Sequence, residues 1–207
     1  LSVRKRGHFA AITDSKQAGH LIRAIRAYGG NTQVRLALLL LAYTFVRPGN
    51  IRNAAWKEVD FEASEWLIPG DKMKSHRDHV VPLSSQAVAV FQELHDIRLV
   101  EEEEYVFPAV HRTKDKRMSE GTLNAALRII GFDGDTMTAH GFRAMASTLL
   151  NGLGYNTDWI ERQLAHVERN KVRGAYNRAE YIIERRKMMQ DWADYLDRLA
   201  AESTLHL

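Results

Sequence analysis

Thr138–Tyr181 reads TAHGFRAMASTLLNGLGYNTDWIERQLAHVERNKVRGAYNRAEY. His140 and Arg143 stand three residues apart and are followed by the apolar positions Met145, Leu149 and Leu150. On a helix that spacing puts an imidazole and a guanidinium on one face, with the apolar positions turned to a core. Thr138 is suited to N-cap this helix, and a helix N-terminus favours an anion through its free N–H groups and partial positive charge. His166 follows Arg143 by 23 residues and Tyr176 follows His166 by ten. These residue types suit the binding, polarisation and attack of a phosphodiester. An isolated His-x-x-Arg pair is common on solvated helix faces, so the weight rests on the remaining residues.

Upstream, the apolar run Leu36 to Tyr43 leads into Thr44-Phe45-Val46-Arg47-Pro48-Gly49-Asn50-Ile51-Arg52. Between the two regions lies a hairpin-like segment with Lys72 and Lys74. Taken in order, Arg, Lys, His-x-x-Arg, His and Tyr resemble the tyrosine recombinase family of DNA strand-exchange enzymes, in particular the phage P4-type integrases. The motifs that carry this resemblance are TFVRPGN, MKSHRDHVVPLS, TAHGFRAMASTLL and LAHVERNKVRGAYNRAEY, and they are specific in combination. The similarity runs from His8-Phe9-Ala10 to the C-terminal helix. One position departs from the family pattern: the acidic residue three places after the first arginine is Asn50 here. That change is expected to alter the support of Arg47.

The resemblance implies a mainly α fold with a small three-stranded antiparallel β-sheet at one edge. It also implies transesterification of double-stranded DNA at attachment sites. Tyr176 would attack phosphorus, form a 3′-phosphotyrosyl bond and release a 5′-hydroxyl. The bond energy stays in the covalent link, so the scheme requires neither ATP nor a metal, and no cofactor is expected. Arg47 and Arg143 would hold the two non-bridging oxygens, because guanidinium forks match phosphate and stabilise its transition-state charge. Lys74 would be the general acid, with Lys72 as its competitor; a desolvated lysine near two arginines donates its proton more readily. His140 would assist proton transfer from the tyrosine or bond the phosphate, and His166 would donate to a non-bridging oxygen. By the same resemblance the full-length protein works as a tetramer on DNA, with an excisionase or a host DNA-bending protein as accessory partners. Residues 1–12 read as an interdomain linker remnant and 13–207 as the catalytic domain, without the family's N-terminal DNA-clamping and arm-binding domains.

Composition sets the outer limits. A chain of 207 residues that is 45% hydrophobic can bury the core of one domain. With no cysteine, a disulfide framework, a thiolate zinc site and a cysteine nucleophile are excluded, and a cytoplasmic protein is expected. There is no apolar run of about 18 residues, the length a membrane helix needs, and no signal-peptide pattern. His140 and His166 lack metal-ligand spacing. The net charge of +3 is modest, but basic residues cluster at Arg4 to Arg6, Lys72 to His79, His111 to Arg117 and Arg162 to Arg173. Converging clusters would form a phosphate-binding surface. Arg185 to Lys187 and the acidic run Glu101 to Glu104 read as solvated.

Periodicity predicts helices over Asp14 to Tyr28, Val34 to Phe45, Gln86 to Val100, Leu123 to Ile130, Trp159 to Leu164 and Arg178 to Ala200. Pro48 suits the first turn of another helix, which leaves Arg47 at a junction. Strands are expected at Trp56 to Phe61, Trp66 to Ile68 and His79 to Leu83, the last paired across Lys72 to His76. Tyr43, Tyr105, Tyr155 and Tyr195 read as core. Two further functions fit the same fold: a DNA-binding module that does not cleave, and a type IB topoisomerase-like enzyme.

The choice of nucleophile gives a direct test. Tyr176 and Tyr181 are five residues apart, about 140° on a helix, so they cannot both face one phosphate. Gly174 and Ala175 free Tyr176 to reach a pocket, whereas Tyr181 adjoins the apolar Ile182 and Ile183. Tyr176→Phe is expected to abolish covalent DNA adduct while DNA binding persists, and Tyr181→Phe to keep the adduct. Peptide mapping of the trapped adduct decides between them.

Overall fold

The computed structural model describes residues 10–109, 116–166 and 181–202. In chain order the helices are α1 (Ser15–Arg26), α2 (Thr32–Thr44), α3 (Pro48–Arg52), α4 (Ser85–Asp96), α5 (Thr122–Ile129), α6 (Gly141–Gly152), α7 (Thr157–Gln163) and α8 (Ile182–Glu202). Strands β1 (Val59–Asp60), β2 (Glu65–Ile68) and β3 (His79–Pro82) form one antiparallel sheet in the order β1-β2-β3. The fold is thus mainly helical with a three-stranded edge sheet, as expected.

Capping chemistry fixes most helix starts. The side chains of Asp14, Asn31, Ser84 and Asn156 each accept from a backbone N–H in the first turn of α1, α2, α4 and α7. Pro48 opens α3, where its missing N–H costs nothing. Gly131, at φ +94°, ends the turn after α5.

α2 is the central helix. Leu36 to Thr44 are all buried, as the continuous apolar run required. α1, α4, α5, α6 and α8 pack around it. α8 crosses α1 along a seam in which Gly19 lies against the Leu199 backbone; a Cβ at position 19 would come within 2.3 Å of the Leu199 carbonyl oxygen. The α8 stripe that fills the core comprises Met188, Met189, Trp192, Ala193, Leu196, Leu199 and Ala200.

Three expectations need correction. The stretch Trp56 to Phe61 is mostly not a strand. Trp56–Glu58 forms a 3₁₀ turn, because the buried Glu58 carboxylate turns back to accept from the Ala55 N–H and the Trp66 indole. β3 pairs with β2, with Ile68 opposite His79, and Lys72 to His76 lie in the connecting loop. Third, Arg185 is buried at 0% exposure, although its flanks Arg186 and Lys187 sit at the surface in pairs with Glu65 and Asp191. One position on a helix faces inward while its neighbours face water, which a charge run conceals. Of the four tyrosines read as core, Tyr43 is buried, while Tyr105, Tyr155 and Tyr195 are half-buried.

Gly19→Ala is expected to destabilise the fold by about 1–3 kcal/mol, the usual cost of overpacking. The clash is with backbone, which cannot rotate away. Urea unfolding of the variant beside the parent chain measures this directly.

Candidate active site

Two helix C-termini meet at the site. α2 ends at Thr44, with Phe45 in the left-handed region at φ 40°. α7 ends at Gln163, and Ala165 takes φ 49° so that the chain turns sharply outward. Ala165 N–H bonds the Arg162 carbonyl and His166 N–H bonds the Glu161 carbonyl, a helix-terminating pair that delivers His166 to the surface.

Arg143 bridges these two ends. Its Nη1 donates to the Phe45 carbonyl at 3.0 Å and its Nη2 to the Leu164 carbonyl at 2.6 Å. Nη2 also lies 3.2 Å from His166 Nε2. Arg47, the residue before α3, reaches the same segment, with Nη2 3.5 Å from the Ala165 carbonyl, a long contact. His166 Nδ1 lies 2.7 Å from the Glu161 carboxylate. The neutral imidazole with its proton on Nδ1 satisfies both neighbours, donating to Glu161 and accepting from Arg143.

His140 directly precedes α6, and Arg143 N–H bonds its carbonyl. Thr138, expected as the helix N-cap, instead caps the turn just before it: its Oγ1 accepts from Gly141 N–H at 3.1 Å. Ala10 packs over this turn, accepting from Thr138 N–H. Position 141 must lack a Cβ, which would meet the Ala10 carbonyl oxygen at 2.4 Å.

The electrostatics describe an anion site. Burial, then the field of Arg47, pushes the Arg143 pKa down to about 10, against a smaller upward pull from Glu161. Burial lowers Arg47 as well. Desolvation, followed by Arg143 and Arg47, lowers His140 below its ordinary value. At neutral pH this leaves two guanidinium cations close together beside a neutral imidazole. An anion of the size of phosphate would relieve their mutual repulsion.

Lys74 and Lys72 are distinguished by geometry. Lys72 Nζ is held by the Glu58 carboxylate and by the Asn53 carbonyl. Lys74 is exposed, not desolvated as expected, and makes no hydrogen bond or ion pair with the described residues. Its loop is anchored at both ends. On one side Asn50, buried at 5% exposure, directs Nδ2 at the Lys72 carbonyl (3.4 Å) and Met73 Sδ (3.5 Å). On the other, His79 Nε2 bonds the Gln163 carbonyl at 3.1 Å. Asn50 therefore supports the lysine loop, a contact that the departure from the family pattern did not suggest. Tyr176 lies outside the described residues, as do most of the basic clusters at His111 to Arg117 and Arg162 to Arg173. Tyr181 immediately precedes α8, is half-buried, and its carbonyl accepts from Arg185 N–H.

The structure thus gathers Arg47, Arg143, His140 and His166, and it ties the Lys74 loop to α3 and α7. Reading the sequence missed Glu161, Gln163 and Arg185, polar residues within helices that lie outside the quoted motifs, and took His79, inside MKSHRDHVVPLS, only as the start of a strand. No group of three or more His, Asp or Glu side chains among the described residues could hold a metal. No helix among them is long and apolar enough to cross a membrane.

This architecture is that of tyrosine recombinase catalytic domains. The integrase from mycobacterium phage Brujita superposes with a TM-score of 0.66 at 16% identity, over 97% of this chain and 64% of that one. A lambda integrase dimer bound to a COC′ core site gives 0.59 at 16% identity, over 81% and 62%. Residues 12–181 match the phage integrase family, and the chain belongs to it. It is 42% identical to the integrase of Enterobacteria phage P4, over 95% of this chain and 47% of that protein. It is also 42% identical to the prophage integrase IntA of Escherichia coli strain K12, over 86% and 42%. The chain spans about half the length of these curated relatives.

His79 gives the site a pH-dependent support. It is buried in β3, and burial, then Arg185, pushes its pKa down to about 3. The unfolded chain takes up this proton near pH 6.5, whereas the folded chain refuses it until far lower pH. Stability is therefore complete above the ordinary histidine range. It is lost as pH falls toward 3, by up to ~1.4 kcal/mol per pH unit. Urea midpoints from pH 7 to 4 should show this slope, and His79→Gln should flatten it.

Proposed function

We propose that this chain is the DNA-cleaving unit, residues 13–207, of a site-specific integrase. It would cut and rejoin double-stranded attachment sites through a 3′-phosphotyrosyl intermediate to integrate or excise a prophage or genomic island. The observation that carries the reading is the joint anchoring of Arg143 and Arg47 on the 164–165 backbone beside His166, in a chain of this family. Its similarity to phage and prophage integrases, and to a lambda integrase dimer bound to a core site, supports it.

A DNA phosphate enters between the guanidinium groups, which neutralise its non-bridging oxygens and stabilise the added charge of the five-coordinate transition state. Tyr176 Oη forms the new bond to phosphorus as the bond to the 5′-oxygen breaks. His140, neutral at pH 7, accepts the phenolic proton, and Lys74 gives a proton to the leaving 5′-oxygen. Rejoining reverses each transfer. The full-length protein acts as a tetramer on DNA, assisted by an excisionase or a host DNA-bending protein, in the cytoplasm at the nucleoid.

A substrate with a nick beside the cleavage site traps the covalent product, read on a denaturing gel. The chain should form it without added metal or nucleotide. Arg143→Lys keeps the charge but loses the fork, so cleavage should fall by about 3–4 kcal/mol of transition-state stabilisation, some 10²–10³-fold, with DNA binding largely kept. DNA binding by the parent chain with no adduct would leave a non-cleaving DNA-binding module as the correct reading.

A further inference from the structure

Gln163 is a neutral side chain at 0% exposure, and it bonds at both ends. Its Nε2 donates to the Thr44 carbonyl at 3.2 Å. Its Oε1 accepts from Arg185 Nε at 3.2 Å and Nη2 at 2.7 Å. Its own carbonyl meets His79 Nε2 at 3.1 Å. Arg185 in turn donates to the Val80 carbonyl at 2.6 Å. One residue thereby links the ends of α2 and α7 to β3 and to α8.

The position of these bonds bears on Arg143. Gln163 joins Thr44, and the next residue on each side, Leu164 and Phe45, supplies the two carbonyls that grip the Arg143 guanidinium. The two bridges run side by side across the same gap. The inner one is buried and sealed by Arg185, and the outer one runs through the half-buried Arg143 beside the exposed His166. Without the inner bridge, no buried side-chain bond would join the two helix ends directly beneath the arginine they are meant to aim.

We propose that Gln163 is the positioning residue for Arg143: through its bond to Thr44 it fixes the spacing of the Phe45 and Leu164 carbonyls and so the plane of the guanidinium presented to the phosphate. Arg185 completes the device by filling the acceptor end of Gln163, which leaves the amide nitrogen turned to Thr44. This assignment rests on the cleavage reading of the same site. It predicts that loss of the Thr44 bond disturbs transition-state binding more than DNA binding, since phosphate attraction needs only charge whereas the fork needs orientation.

The test uses the chain with two substitutions. Gln163→Met keeps the volume and removes every side-chain bond. Gln163→Glu keeps the pairing with Arg185 and removes only the donor to Thr44, so it remains informative if the methionine variant fails to fold. Single-turnover cleavage of the nicked substrate, below the unfolding temperature of each variant, should fall tenfold or more, with the DNA Kd within threefold of the parent. In ¹⁵N spectra, the separate Nη signals of Arg143, assigned by their loss in Arg143→Lys, should collapse to an averaged signal as the guanidinium gains rotation. Folded variants that are merely less stable, with parental cleavage and intact Nη signals, would overturn the proposal. A parent chain that forms no adduct would overturn the cleavage reading alone, and the Nη signals would still decide the role of Gln163.

Discussion

A helix that ends inside a protein leaves carbonyl oxygens with no helical partner, and they must find donors. In this chain two such ends, those of α2 and α7, are brought face to face, and arginines are among the donors they find. Arg143 serves Phe45 and Leu164, and Arg47 approaches Ala165. A helix C-terminus also carries partial negative charge, so it favours a cation beside it. The same carbonyls that would be a liability when buried bare therefore hold two guanidinium groups near each other against their mutual repulsion. The rest of the structure serves to keep these two ends in place.

That anchoring leaves the site electrostatically incomplete. Burial and proximity lower the pKa of Arg143 to about 10, and burial, then the two cations, lowers that of His140. Glu161 offsets part of the charge, but it is also engaged with His166 Nδ1. The backbone carbonyls orient the guanidinium groups without neutralising them. In the proposed reaction a phosphate diester would supply the missing charge, and would supply more at the transition state than in the ground state. This is the differential binding on which catalysis depends.

The lysine loop is handled by a different device. A loop of some ten residues between β2 and β3 would wander if it were held only by its strands. Here Asn50 ties its start to α3, directly after Arg47, and His79 ties its end to α7. Within it, Gly70 N–H bonds Asp78 at 2.8 Å and closes the loop at its base. Lys72 is spent on Glu58, whose carboxylate also holds the Trp66 indole under the sheet. One lysine thus builds the hairpin and the other, Lys74, is left exposed at its tip.

The sequence by itself determined the class of fold, most of the helix limits and the identity of the charged set. Those features are local: caps, apolar periodicity and turn residues act within a few positions, and Arg47, Arg143, His140 and His166 stand in spaced motifs. Tertiary structure alone decided which polar groups are buried and what each one touches. Arg185 sits among surface charges in the sequence yet lies fully buried, because a helix turns each successive residue by about 100° and only packing says which face is inside. Asn50 was legible only as a departure expected to alter the support of Arg47; that it holds the lysine loop is set by the fold of the hairpin over α3. Gln163 carries no motif at all. Its importance comes from four elements converging on one buried amide, whose donors and acceptors must all be satisfied away from water.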